Sequence, residues 1–202
     1  MTLVDFISDL NEVSESQSLA DVVAVAADRL SAEEISHESV VDELRRMTED
    51  ERQGMLCRSV DTTTHLKLSL DQNAHRALRL WLHVYKGWPP SEGRFAASIH
   101  DHRYAFVSKI LRGGYVEQRW TIESDRVSPL RSAKRGVNSL NIVRAADVHS
   151  LVSVEPRTVS LVLQLPAERS FSRVYHPDRG AAFTSIPDLE AQYADFLAKD
   201  DR

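Results

Sequence analysis

Hydrophobic positions follow two periods along this chain, a helical one up to about residue 56 and a period of two after it. Val4, Ile7 and Leu10 have helical spacing around a segment 5–10, and the Ala- and Val-rich run from Leu19 to Leu30 predicts a second helix. Ser18-Leu19-Ala20-Asp21 fits the pattern in which a hydroxyl caps a helix and an acid three residues on closes the box. A third helix is expected over Glu38 to Leu56, with Val40, Val41, Leu44, Met47, Met55 and Leu56 on its apolar face. From Cys57 the pattern alternates. Thr62 to Leu70 and Ala77 to Tyr85 read as strands around a turn at Asp71-Gln72-Asn73. In the second strand Leu78, Leu80, Leu82 and Val84 share one face, and Arg79, Trp81, His83 and Tyr85 share the other. Alternation pairs these residues without saying which face is inside.

The segment from Gly87 to Gly93 reads as a loop. Strands follow over Phe106 to Leu111, Tyr115 to Ile122, Leu140 to Val143, Ser150 to Val154 and Thr158 to Leu165. The Arg-rich stretch 123–137 is expected to be a loop or hairpin, and 186–198 a closing helix with Leu189, Tyr193 and Phe196 or Leu197 inward. Helices first and many short strands after them predict an antiparallel barrel or sandwich with a helical cap. The 202 residues suffice for one structural unit, with residues 1–56 packed on a unit of 57–202.

Composition narrows the function. With 42% apolar and 27% charged residues the chain is globular, and its net charge of −5 disfavours nucleic-acid binding. A local basic patch around Arg126 to Arg135 is the one feature against that reading. No apolar run approaches the roughly 20 residues of a membrane span. The N-terminus lacks the basic start of a signal peptide, so a cytoplasmic location is expected. Cys57 is the single cysteine, which excludes an intrachain disulfide and a thiolate cluster; it is expected to be a small buried hydrophobe.

The chemistry centres on His100-Asp101-His102. Residues i and i+2 of a strand point the same way, so two imidazoles converge while Asp101 points elsewhere, into a structural or supporting role. Packing does not ask for this, and neutral imidazole is a common ligand of Zn, Fe, Cu and Ni. The segment Ser98-Ile99-His100-Asp101-His102, continued by Lys109-Ile110-Leu111-Arg112-Gly113, together with His149, Glu155-Pro156 and Ser160-Leu161, resembles the two metal motifs of the cupins. Within them it resembles the cysteine dioxygenase (thiol dioxygenase) family over roughly residues 60–170. The resemblance implies a mainly β cupin barrel, a double-stranded β-helix of antiparallel strands with the N-terminal helices packed outside. It also implies one metal on His100, His102 and His149: Fe(II) first, with Zn, Mn or Ni as alternatives.

The departures from that family are informative. Phe106 stands where other cupins carry a ligating Glu and where some thiol dioxygenases carry a Cys crosslinked to Tyr. Gln164 stands for that Tyr and Val162 for a His, while Lys67 falls near the carboxylate-binding Arg. The metal site is kept and the thiol pocket is changed. The expected function is an iron oxygenase taking a small anionic, chelating substrate and dioxygen, with free cysteine disfavoured. Gln164 and Tyr85 are the catalytic candidates; Phe106, Ser108, Val162, Lys67 and Arg103 are the substrate-binding candidates, in a wall expected to lack a strong base. The alternatives are a non-oxidative metal enzyme of isomerase, lyase or hydrolytic type and a ligand-binding cupin. His37, His65 and His75 are expected at the surface, and His176 in a turn that could close the barrel mouth. The sequence leaves the oligomeric state open.

Overall fold

A computed structural model describes residues 6, 18–31, 35–71, 78–87, 98–124, 126–177 and 180–185. The helical segment around 5–10, most of the 87–93 loop, His75 and the helix expected over 186–198 lie outside the described residues.

Among the described residues three helices with defined bounds precede the strands: α1 (Leu19–Ser31), α2 (His37–Arg46) and α3 (Glu49–Arg58). The single helix expected over 38–56 is two helices. Thr48 Oγ1 accepts from the Glu51 N–H, and the Glu51 carboxylate accepts from the Thr48 N–H at 2.8 Å. This capping box starts a new helix one residue after Met47 has closed the old one. The break also turns the last residues of α3. Met55 is buried, but Leu56 and Cys57 are exposed, against the expectation for both.

Twelve strands follow among the described residues: β1 (Val60–Asp61), β2 (His65–Ser69), β3 (Arg79–Tyr85), β4 (Ile99–His100), β5 (Tyr104–Arg112), β6 (Gly114–Glu123), β7 (Arg126–Gly136), β8 (Leu140–Val143), β9 (Val148–Val154), β10 (Val159–Ala167), β11 (Ser172–His176) and β12 (Gly180–Ser185). They form two antiparallel six-stranded sheets, in the orders β1-β2-β3-β10-β5-β8 and β12-β11-β4-β9-β6-β7. From β3 to β6, and again from β7 to β11, each strand lies in the sheet opposite its predecessor. This crossing back and forth is the double-stranded β-helix of the cupin fold. Among the described residues no strand pairing joins the two sheets, so the barrel is two facing sheets. The Arg-rich stretch is a hairpin of β6 and β7. The β11–β12 hairpin, which carries His176 exposed on β11, was read from sequence only as a turn-rich segment.

Gly113 makes one crossing possible. It has φ +72° between β5 and β6, and a Cβ there would stand 2.5 Å from Thr158 Oγ1. Only glycine meets both demands without strain.

Alternation along the first sheet separates two environments. Leu80, Leu82, Val107, Leu111, Leu161, Leu163 and Leu165 are buried with Val22, Ala26, Leu30 and Val40 of the helices. Burying this many side chains at about 1.5–3 kcal/mol each is what holds the helices on the outside. The other face of the same strands, with Trp81, His83, Tyr85, Phe106, Ser108, Val162 and Gln164, turns toward the second sheet and lines a cavity. No described helix is long and apolar enough to cross a membrane.

Candidate metal centre

The cavity encloses about 210 Å³. His100, His102 and His149 stand in its wall. One ring nitrogen from each lies within 4.8 Å of the other two, and among the described residues no other His, Cys, Asp or Glu group of three is so placed. His100 on β4 pairs directly with His149 on β9, which brings sequence-distant imidazoles side by side. The strand ends at His100, so His102 is not held by a ladder, as the alternation had implied. Instead its N–H donates to Ala145 O, and its carbonyl accepts from Arg169.

Asp101 points away from the histidines and ties this segment down. Its carboxylate accepts from the Arg173 N–H at 2.6 Å and from Tyr175 Oη at 2.7 Å, and it pairs with Arg169 at 2.8 Å. A buried carboxylate with three partners fixes the backbone that carries both neighbouring ligands.

The hydrogen bonds select tautomers. His100 Nδ1 lies 2.8 Å from Ser98 O and so carries the proton, leaving Nε2 as the ligand atom. His149 Nδ1 donates to Glu117 Oε1 at 2.9 Å, again freeing Nε2. His102 Nε2 and His149 Nε2 are 2.8 Å apart. Two nitrogens each about 2.1 Å from one ion and at right angles would stand about 3 Å apart. Burial, reinforced by the neighbouring imidazoles, lowers the proton affinity of His100 to a pKa of about 4 and that of His102 well below the ordinary value. Neutral rings are the form that binds metal. The donor set therefore fits a transition-metal ion held on three imidazoles.

Glu117 escaped the sequence reading. It sits on β6 with its side chain wholly buried, and it also accepts from Asn141 Nδ2 at 3.0 Å, from Arg119 Nε at 3.0 Å and from Arg135 Nη2 at 3.3 Å. Burial alone would raise its pKa, but bonds from His149 and Asn141 and the Arg119 charge outweigh it and hold the carboxyl at about 2. The inward alternation of Tyr115, Glu117 and Arg119 was the signal available in the sequence.

Phe106 lies edge-on to His102, with ring centroids 5.0 Å apart. Tyr85, Ser108, Val162, Gln164 and Lys67 all line the cavity. Strand register explains the grouping: Val162 lies between Trp81 and Ser108, and Gln164 between Arg79 and Phe106. Gln164 Oε1 accepts from Trp81 Nε1 at 3.0 Å. Arg103 does not line the cavity.

The wall carries more ionisable nitrogen groups than expected. His65 belongs to it and is not a surface residue; its ring stacks 4.5 Å from that of His83. The phase of β2 places His65 and Lys67 inside together, which β-alternation predicts once Lys67 is known to face in. Burial lowers His65 to about 4 and His83 well below its ordinary value. His83 Nε2 is buried with no hydrogen-bond partner. Lys67 is lowered to about 8 by burial and by the charges of Arg79 and Arg103, and its ammonium sits 4.5 Å over the Trp81 ring. Among the described residues no Asp or Glu lines the cavity.

No protein-family model and no curated protein matches the chain. Among solved structures it is similar to a mannose-6-phosphate isomerase-like protein from Ralstonia eutropha, with 14% identity, a TM-score of 0.38, and 54% of this chain and 90% of that chain covered. A hydroxypropylphosphonic acid epoxidase from S. wedmorenis aligns with 9% identity and a TM-score of 0.39, covering 54% of this chain and 56% of that one. A DMSP lyase from Ruegeria pomeroyi aligns with 13% identity and a TM-score of 0.40, covering 66% of this chain and 61% of that one. The chain thus spans less than two thirds of the epoxidase and the lyase, and its architecture rests on the strand order and register given above.

Proposed function

We propose that this protein is a metal-dependent enzyme, an iron oxygenase that acts on a small anionic, chelating substrate. The carrying observation is the convergence of His100, His102 and His149 on one point of a cavity wall that, among the described residues, contains no carboxylate. Three neutral ligands leave the charge of a divalent ion uncompensated, which favours an anion as the next ligand. A bound Fe(II) would supply the one-electron chemistry that lets dioxygen react, which side chains do poorly.

The chain's own groups would do the rest. Lys67, with Arg103 adding to the local positive field, would hold the substrate's carboxylate. Gln164 has its oxygen engaged by Trp81, so it offers its amide N–H to the substrate. Tyr85 has its pKa raised by burial and stays a neutral hydroxyl, suited to donating a hydrogen bond. Ser108 offers a hydroxyl, and Phe106 and Val162 supply apolar contact and keep water out.

A second reading draws on the basic wall. His65 and His83, held neutral by burial, give the cavity proton acceptors that a purely oxidative site does not require, and Lys67 gives it a proton donor. With Zn or Mn as a Lewis acid they would suit an isomerisation or elimination. Elemental analysis of the purified protein, followed by turnover of Fe(II)-loaded enzyme with and without oxygen, separates the two. Equal turnover without oxygen would sink the oxygenase reading, and absence of any bound metal would sink both.

A further inference from the structure

Glu117 is a buried carboxylate behind a cavity wall that has none among the described residues. His149 is one of several groups that hold its charge. Arg119 and Arg135 both pair with it, and Arg119 is itself fixed by Asp147 at 2.9 Å and by Asn141 Oδ1 and the Ile142 carbonyl at 3.0 Å each. An apolar residue at position 149 would leave that cage intact. Glu117 thus keeps three partners without His149, whereas His149 Nδ1 has its contact to Glu117 alone among the contacts described for it.

A neutral imidazole has one N–H. Whichever nitrogen carries it cannot bind a metal, and in water the two tautomers exchange freely. Glu117 Oε1, 2.9 Å from Nδ1, can only accept. His100 has a neutral carbonyl in the equivalent role, so His149 is the one ligand coupled to a full negative charge.

We propose that Glu117 is the positioning residue of the metal centre. It locks His149 as the Nδ1–H tautomer with Nε2 facing His102, and through the ring it lends the three-imidazole site the anionic character its ligands lack. This rests on the metal-site reading above. Partners of this kind usually change metal affinity about 10- to 100-fold.

The test has two readouts besides turnover. The first is the tautomer of His149 in the metal-free wild type, from the ¹⁵N shifts of both ring nitrogens; it needs no variant and no metal. The expected result is the Nδ1–H form alone, and an Nε2–H form overturns the proposal. The second is Zn(II) affinity, by competition with a chromophoric chelator, for wild type, Glu117→Gln and Glu117→Asp. Wild type is expected to bind one ion, Glu117→Gln to bind about 10- to 100-fold more weakly, and Glu117→Asp to recover part of the loss. Affinity of Glu117→Gln within twofold of wild type overturns the proposal. A wild type that shows the Nδ1–H tautomer yet takes up no Zn(II) overturns the metal-site reading and the proposal with it, by a route the variants do not share.

Discussion

His102 and His149 meet nitrogen to nitrogen at 2.8 Å although they come from a loop after β4 and from the start of β9. The contact is unfavourable for two protonated rings and natural for two lone pairs aimed at one ion. His102→Ala should therefore lower the metal content from about one ion per chain to near none, and His149→Ala should do the same. Both should keep the β-rich circular dichroism of the wild type. Full metal retention in either variant would contradict the three-imidazole centre.

Lys67 predicts a pH dependence. Burial, with Arg79 and Arg103 nearby, lowers it from 10.5 to about 8, so the cavity holds its cation below pH 8 and loses it above. Affinity for a small dianion such as oxalate should fall as pH rises from 7 to 9. Lys67→Met should bind oxalate weakly throughout and show a flat profile there. Titration calorimetry on the Zn(II)-loaded protein measures both.

Asp101 holds the segment between two ligands with bonds to Arg173, Tyr175 and Arg169. Asp101→Ala leaves Arg169 without its anion and Tyr175 without an acceptor. A loss of about 3 kcal/mol of stability is expected, by analogy with other broken buried pairs. Urea unfolding reads it. A midpoint within error of wild type would show that Asp101 merely fills space.

How much of this could be seen in the sequence follows from what each pattern encodes. His100 and His102 were legible because a strand's period of two is local, and His149 because it falls in a motif resembling a known family. The inward face of β3 was not legible. The faces of Leu82 and His83 differ only in what lies over them, and that depends on helices placed by tertiary packing. His65 was misplaced at the surface because its burial comes from β3 beside it. Glu117 was missed because four of its partners lie on three other strands or on its own, and no spacing rule connects them. The break at Thr48 is legible in the sequence, since Thr48-Glu49-Asp50-Glu51 is itself a capping pattern.

Gln164 should matter for the cavity and not for the metal. Gln164→Ala removes the acceptor of Trp81 Nε1 and should cost about 1 kcal/mol in thermal unfolding. Metal content should not change, and substrate affinity or product ratio should. Loss of metal would place Gln164 in the wrong role.

Free cysteine should be turned over slowly or not at all. Val162 and Gln164 put no acid–base group on that stretch of β10, and Phe106 rules out a thioether crosslink there. Fe(II)-loaded protein in an oxygen electrode with cysteine is expected to stay below about 1 s⁻¹. Faster consumption would show that the basic wall substitutes for the missing groups.

The two-sided use of β3 gives that strand something like a reading frame. Its even positions, Leu80 and Leu82, lie under the helices, and its odd positions, Trp81, His83 and Tyr85, form the cavity. Inserting or deleting one residue would exchange the two sets at once, sending imidazole and indole under the helices and leucine to the substrate. New specificities in this scaffold are thus reached by changing letters at odd positions, one at a time, while the length of the word stays fixed.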